Sequence, residues 1–314
     1  MEWDVIVIGG SAAGLSASLM LGRAGRRTLV IDAGSPRNRF ADHMHGVLGN
    51  EGTPPSELLE HGRAEASGYG VEFAEGTVER VDETEDGVVV TVADGGVLTA
   101  RAVIAATGLT DELPAIPGLA ERWGRSVLHC PYCHGWEVRN QRLGVLTTSP
   151  LQLHLAHLIR QWSDRVVVFT AGLDPLTAEE EARFRARGVE LVAEPVVELL
   201  GDGDALTAVR LADGREVPVD AIFTGGTLRP HDGFLSHLGL SRTETPAGSF
   251  VAVDAMNRTS SKRIWAVGNV VNPSATVPLS IGAGSFTGAA VNAALVTEDF
   301  DLALAAAASH SLVE

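Results

Sequence analysis

Lysine is what this chain has least of. Lys262 is the only lysine in 314 residues, and lysine plus arginine supply 24 cations against 40 carboxylates, a formal net charge of -16. Such a field repels nucleic acid and anionic bilayers, so neither is expected as a partner. No basic region, long apolar run or small-residue cleavage site precedes Asp4-Val5-Ile6-Val7-Ile8, so export and membrane insertion are unmarked there and a cytoplasmic enzyme is expected. Cysteine is nearly as scarce, with Cys130 and Cys133 the whole supply. Two cannot build a disulfide framework, and in a reducing compartment their spacing points to redox or metal chemistry. Aromatics make up 5% of the chain, yet hydrophobic residues at 45% and charged ones at 20% match ordinary globular usage and exclude disorder.

What is present is organised as α/β. Residues 3–8 form a β-branched run, followed by Gly9-Gly10-Ser11-Ala12-Ala13-Gly14, a helical stretch to about Arg23, and a second apolar run from Thr28 that ends at Asp32. This predicts a βαβ unit. Its turn reads G-x-S-x-x-G. Gly9 and Gly14 keep the tight turn and close helix packing of a dinucleotide site, with Ser11 at the middle position. The helix N-terminus offers N–H groups and a positive dipole end to a diphosphate, and Asp32 is placed for a ribose hydroxyl. A crossover without ligand is the competing reading.

Two more strands are predicted, at 102–108 running into Ala106-Thr107-Gly108 and at 264–269 ending on Gly268-Asn269, the latter followed by a small-residue helix over 279–294. An alanine-rich stretch at 302–308 reads as a last helix. Pro/Gly-marked joints at 113–118 and 227–233 bracket an internal block with its own strand (143–146), helix (151–162) and strand (165–169). The expected architecture is two Rossmann-like, three-layer domains, the second (115–233) inserted into the first (1–114 and 234–314).

Cys130-Pro131-Tyr132-Cys133-His134 is the chemical signature. Two thiols two residues apart can close a small disulfide ring, one attacking a substrate sulfur while the other resolves the mixed disulfide. His134, with a near-neutral pKa, suits a general acid/base. Zinc would need further ligands that no second C-x-x-C supplies, so no metal site is expected. Haem attachment through C-x-x-C-H lacks an export signal, and an inert thiol pair is the remaining alternative. His129, Tyr132 and Trp136 flank the motif with equally good structural roles.

In order along nearly the whole chain, the Gly-rich turn, Ala106-Thr107-Gly108, Cys-Pro-Tyr-Cys and Val267-Gly268-Asn269 resemble the small thioredoxin reductase family of flavoproteins. The resemblance implies FAD held by Gly9, Gly10, Ser11, Ala12, Ala13, Gly14, Asp32 and Ala33, with Arg37, Asn38, Val78, Ala106, Thr107 and Gly108 nearby. Gly268 and Asn269 would meet the ribityl chain, Thr276 and Val277 the pyrimidine edge. Cys133 would face the flavin, Cys130 the substrate. A homodimer rests on the resemblance alone.

The inserted block departs from a reductase. Where a second Gly-rich turn would hold NADPH stand Thr147-Thr148-Ser149-Pro150, and Thr170-Ala171-Gly172 replace the basic residues that would meet a 2′-phosphate. Cys-Pro-Tyr-Cys-His-Gly-Trp-Glu (130–137) and Asp42-His43-Met44-His45-Gly46-Val47-Leu48-Gly49 are similar to the dithiol oxidases that close disulfides in gliotoxin and holomycin biosynthesis. That implies a small-molecule dithiol substrate and dioxygen as acceptor, with His43 and His45 on the substrate side. A reductase fed by NADPH or ferredoxin, and a flavin-bound redox sensor, are the alternatives.

Overall fold

The computed structural model describes residues 1–310. The chain runs β1 (Trp3–Ile8), α1 (Ala12–Arg23), β2 (Thr28–Asp32), α2 (Pro55–Ser67), β3 (Glu72–Glu75), β4 (Val78–Glu83), β5 (Val88–Val92) and β6 (Val97–Ala105). A middle stretch follows: β7 (Leu109–Glu112), β8 (Val127–Leu128), α3 (Pro131–His134), β9 (Leu143–Leu146), α4 (Leu153–Ile159), β10 (Val166–Phe169), α5 (Ala178–Ala186) and β11 (Glu190–Val192). Next come β12 (Val196–Leu200), β13 (Ala208–Leu211), β14 (Glu216–Pro218), β15 (Ala221–Phe223) and β16 (Thr227–Pro230). The last elements are β17 (Arg242–Thr245), β18 (Gly248–Val251), β19 (Ile264–Ala266) and α6 (Val277–His310). Two compact units result, one of Met1–Arg37, Ser56–Thr110 and the chain from Pro230, the other of Asn38–Pro55 and Asp111–Arg229.

The first unit is built on a seven-stranded sheet in the order β3-β2-β1-β6-β5-β4, with β19 also on β6. β1 is central and has both faces covered, Ile6 and Ile8 in one apolar cluster and Val5 and Val7 in another. That is why it reads as an unbroken hydrophobic run. On the side away from β1, β6 has two different neighbours along its length. Residues 97–100 pair antiparallel with β5. Val103–Ala105 pair parallel with β19. α6 lies tightly on α1: a Cβ on Gly284 or Gly288 would sit well inside contact distance of the backbone oxygens of Ala13 and Ala17.

One continuous helix replaces the two expected over 279–294 and 302–308, since nothing between them breaks the pattern. It is the one helix among the described residues long and apolar enough to cross a membrane by length and composition. The glycine seam on α1 gives that apolarity a packing role within this unit. Its opposite side carries an exposed stripe, Leu279, Gly282, Phe286, Ala289, Ala293, Val296 and Phe300, at alternating spacings of three and four residues.

The second unit has a five-stranded, all-parallel sheet in the order β11-β10-β9-β15-β8 and an antiparallel β12-β13-β14 sheet. Phe169, Phe184 and Phe223 are fully buried in it. Residues 38–55, placed by sequence in the first domain, belong to this unit. The reasons are local: Asp42 pairs with Arg125, and Gly124, at φ +81°, lies against the Phe40 backbone and Cβ. The unit boundaries therefore differ from those drawn at the proline joints, and they separate Arg37 from Asn38.

Candidate active site

In the first unit, the turn between β1 and α1 is shaped by what a side chain would strike. A Cβ on Gly9 would collide with the Ala106 carbonyl, and one on Gly14 with the Gly9 carbonyl. Gly9 also has φ +105°, a conformation open to glycine at no steric cost. Ser11 is the N-cap of α1 by backbone geometry, and its hydroxyl makes no capping bond. Ala12, Ala13 and Gly14 form the first turn, leaving the N–H groups of a helix end directed at the turn. Asp32, at the end of β2, accepts from Gly10 N at 3.1 Å and from Arg63 of α2. Arg63 also lies over the Phe73 ring at 5.1 Å. Ala33 follows on the exposed side.

The remaining residues expected near FAD divide. Ala106, Thr107 and Gly108 follow β6, and Thr107 Oγ1 donates to the His231 carbonyl at 2.7 Å. Gly268 (φ +78°) approaches Ala13 so closely that a Cβ would come within 3.0 Å of it. The Asn269 amide nitrogen donates to carbonyls of Asn272, Pro273 and Ala275 at 3.0, 3.3 and 3.0 Å. It thus folds the loop that delivers Thr276 and Val277 to the start of α6. Arg37 donates to the Pro273 carbonyl at 3.1 Å, in the same loop. Val78 opens β4 with its side chain in the core, and Asn38 lies beyond the unit boundary. Close-approach glycines beside a helix N-terminus, with an acid at the end of β2, fit a flavin dinucleotide.

In the second unit, β8 runs into the cysteine motif. Cys130 is the N-cap of α3, its Sγ accepting from Cys133 N at 3.2 Å, with Pro131 at the first helical position. Cys130 and Cys133 form a disulfide with Cα atoms 5.2 Å apart. Gly135 lets the turn close, because a Cβ there would meet the Pro131 carbonyl at 2.6 Å and the Trp162 ring at 2.8 Å. Tyr132 packs edge-on against Trp162 at 5.7 Å, while Arg139 lies over the Trp136 ring at 4.0 Å. Tyr132 and Trp136 remain largely exposed.

His134, His43 and His45 line one open cavity of about 470 Å³ together with Glu137. Burial holds the His134 imidazole below its ordinary pKa of 6.5; the nearby Glu137 carboxylate acts against this, while His45 and His129 reinforce it. The ring is therefore neutral at neutral pH and ready to accept a proton. His45 is held on both sides, Nδ1 at 2.7 Å from Glu51 and Nε2 at 3.6 Å from Glu137. No group of three or more metal-ligating side chains occurs among the described residues.

The turn after β9 is the counterpart of the Gly9–Gly14 turn, and it is filled. Gln152 is buried, and its carboxamide oxygen accepts from Ser149 N at 3.0 Å and from Thr148 N, while its nitrogen donates to the Gly225 carbonyl at 3.2 Å. Thr147 Oγ1 donates to the Phe169 carbonyl at 2.6 Å. Gly172, after β10, is packed so closely on the Thr147 carbonyl that no Cβ fits. Backbone donors that would meet a diphosphate are thus satisfied from within. Sequence reasoning saw the lost glycines and missed Gln152, although Ser149-x-x-Gln152 carries the spacing of a capping box. Arg63 and Glu51 were also missed, while Glu137 stood at the end of the 130–137 string with no role assigned to it.

The family model for pyridine nucleotide-disulphide oxidoreductases matches residues 3–294. The chain belongs to that family. This pyridine nucleotide-disulphide oxidoreductase is 31% identical to the thioredoxin reductase sirT of Leptosphaeria maculans, over 92% of this chain and 93% of that one. It is 29% identical to the thioredoxin reductase tcpT of Claviceps purpurea, over 94% and 95%. The crystal structure of HlmI matches at 47% identity with a TM-score of 0.93, covering 98% of this chain and 97% of that one. The thioredoxin reductase-like members use FAD, and the enzyme is a flavin-dependent oxidoreductase with the Rossmann-like fold of that group.

Proposed function

We propose that this oxidoreductase is a dithiol oxidase that closes an intramolecular disulfide in a small, natural-product-type dithiol. The observation that carries the reading is Gln152, whose carboxamide takes the backbone donors a nicotinamide dinucleotide would need. Electrons then enter from the thiol side. FAD, which the Gly9–Gly14 turn with Asp32 would hold, would supply a two-electron acceptor for the cysteine pair, with dioxygen as the final oxidant and hydrogen peroxide as its product. His134 takes the proton of the substrate's first thiol. The thiolate attacks Cys130 Sγ, the Cys130–Cys133 bond breaks, and its electron pair goes to Cys133 Sγ. The second substrate thiolate attacks the substrate sulfur of the mixed disulfide and releases Cys130 as thiolate.

The deciding experiment is an anaerobic titration of the flavin absorbance with dithiothreitol and, separately, with NADPH. Bleaching by the dithiol alone, with colour returning in air, is the expected result. Rapid bleaching by NADPH would make the enzyme a reductase. Since burial holds the His134 pKa down, the base is lost only as pH falls through a value below 6.5. Activity therefore persists to lower pH than an ordinary histidine allows. His134→Gln should slow dithiol oxidation by about 10²-fold or more and remove that acid limb from the kcat/KM profile.

The enzyme acts as a homodimer in this reading, through the exposed stripe of α6. Leu279, Phe286, Val296 and Phe300 share that face with the small Gly282, Ala289 and Ala293, the mix of bulky and small side chains that knobs-into-holes packing of two copies requires. The net charge of -16 disfavours an anionic bilayer on the same face. Phe286→Glu should leave a monomer by sedimentation velocity; an unchanged mass would place the interface elsewhere.

A further inference from the structure

A dithiol gives up two protons for each disulfide it forms, while the motif offers one imidazole. His134 can serve both deprotonations only if the first proton leaves before the second thiol arrives. The cavity it lines contains a route outward. Glu137 stands three residues on from His134, His45 Nε2 is 3.6 Å from Glu137 Oε1, and His45 Nδ1 is 2.7 Å from Glu51 Oε1. Glu51 Oε2 also accepts from Gly46 N at 2.9 Å, which fixes the carboxylate against the ring. Glu51 and Glu137 keep 66% and 41% of their side chains exposed and His45 only 21%, so the chain runs from a sheltered imidazole to solvent at both ends.

We propose that Glu137, His45 and Glu51 form a proton relay that returns His134 to its basic state between the two thiol deprotonations of one turnover. The proposal rests on the dithiol oxidase reading. The first thiol's proton passes from His134 to Glu137, and His45 takes it at Nε2 while releasing its Nδ1 proton to Glu51, so the imidazole gains and loses one proton. No bond other than N–H and O–H changes in the relay.

The charged surroundings leave this path the direct one. His129 is the other titratable group close enough to act on His134, and it lowers the His134 pKa as His45 does. Asp42 is paired with Arg125 and Asp220 with Arg142. Asp204 also lines the cavity, where its backbone carbonyl accepts from Ser126 Oγ at 2.6 Å. Glu51 is held below the usual carboxylate range first by its bond to His45 and then by that from Gly46 N. Charged Glu51 is thus the acceptor at the outer end.

The test uses FAD-loaded enzyme, anaerobically, with two probes. One is 2-mercaptoethanol in single turnover, reading the covalent Cys130 adduct by intact mass, a step that needs one deprotonation. The other is dithiothreitol, reading flavin bleaching, which needs both. His45→Gln should leave adduct formation within about twofold and slow bleaching about tenfold, with imidazole restoring the rate. Glu51→Gln should do the same less severely, and it keeps the test open if the histidine variant folds poorly. Equal slowing of both steps without imidazole rescue would make His45 structural and overturn the relay. A wild-type enzyme that forms no adduct and is not bleached would overturn the oxidase reading itself, a different outcome.

Discussion

Two turns in this molecule each join a parallel strand to the helix after it, and they end in opposite states. After β1, Gly9 and Gly14 let strand, turn and helix approach until nothing but backbone remains between them, and the helix end is left for a ligand. After β9, the corresponding residues carry side chains, and Gln152 turns back to bond the Thr148 and Ser149 N–H groups. A buried polar donor must have a partner, and whether that partner is a cofactor or the chain's own amide decides what the turn can bind. The second turn is held by its own hydrogen bonds, with the Gln152 carboxamide on its backbone donors.

The strongest way to break this comparison is to fill the first turn. Gly14→Val should yield protein with no bound flavin, measured as the flavin-to-protein absorbance ratio, because even the Cβ has no room beside the Gly9 carbonyl. Gly172→Val meets the Thr147 carbonyl in the same way, yet it should retain flavin and lose about 1–3 kcal/mol of stability in urea unfolding. Flavin loss in both would mean that the second turn still supports the first. Gln152→Ala leaves two backbone donors unpaired and should cost about 1–3 kcal/mol. NADH, which needs no 2′-phosphate site, should remain a poor reductant of this variant. Fast reduction would show that Gln152 alone had excluded the nucleotide.

The fold was largely legible because its signals are local. β9 occupies the four residues expected, and β10 begins one residue later than expected. The strand expected at 102–108 stops at Ala105, because Ala106-Thr107-Gly108 turn away to meet His231. The helix expected from 151 opens instead as a short 3-10 turn over Pro150–Gln152. Of the site, the cysteines, His134 and the glycines were readable, since each is dictated by its neighbours in sequence. Arg63 and the contact of Glu137 with His45 were not, because those partners meet only after distant segments pack; Glu51 meets His45 and Gly46 locally, but through a turn that no residue pattern announces. The stripe on α6 went unseen for another reason: three of its seven members are glycine or alanine, which carry little hydrophobic signal until the bulky residues between them are seen to share a face.

β6 carries a further meaning for how the molecule assembles. Its first half is fixed by the antiparallel meander with β4 and β5, and its second half ends under the flavin turn, where Ala106 opposes Gly9. A slip of β6 by one residue would exchange its two faces. The meander is thus a gauge that sets the height of the cofactor's floor from some distance away. Loosening a meander far from any chemistry should first be noticed as loss of colour.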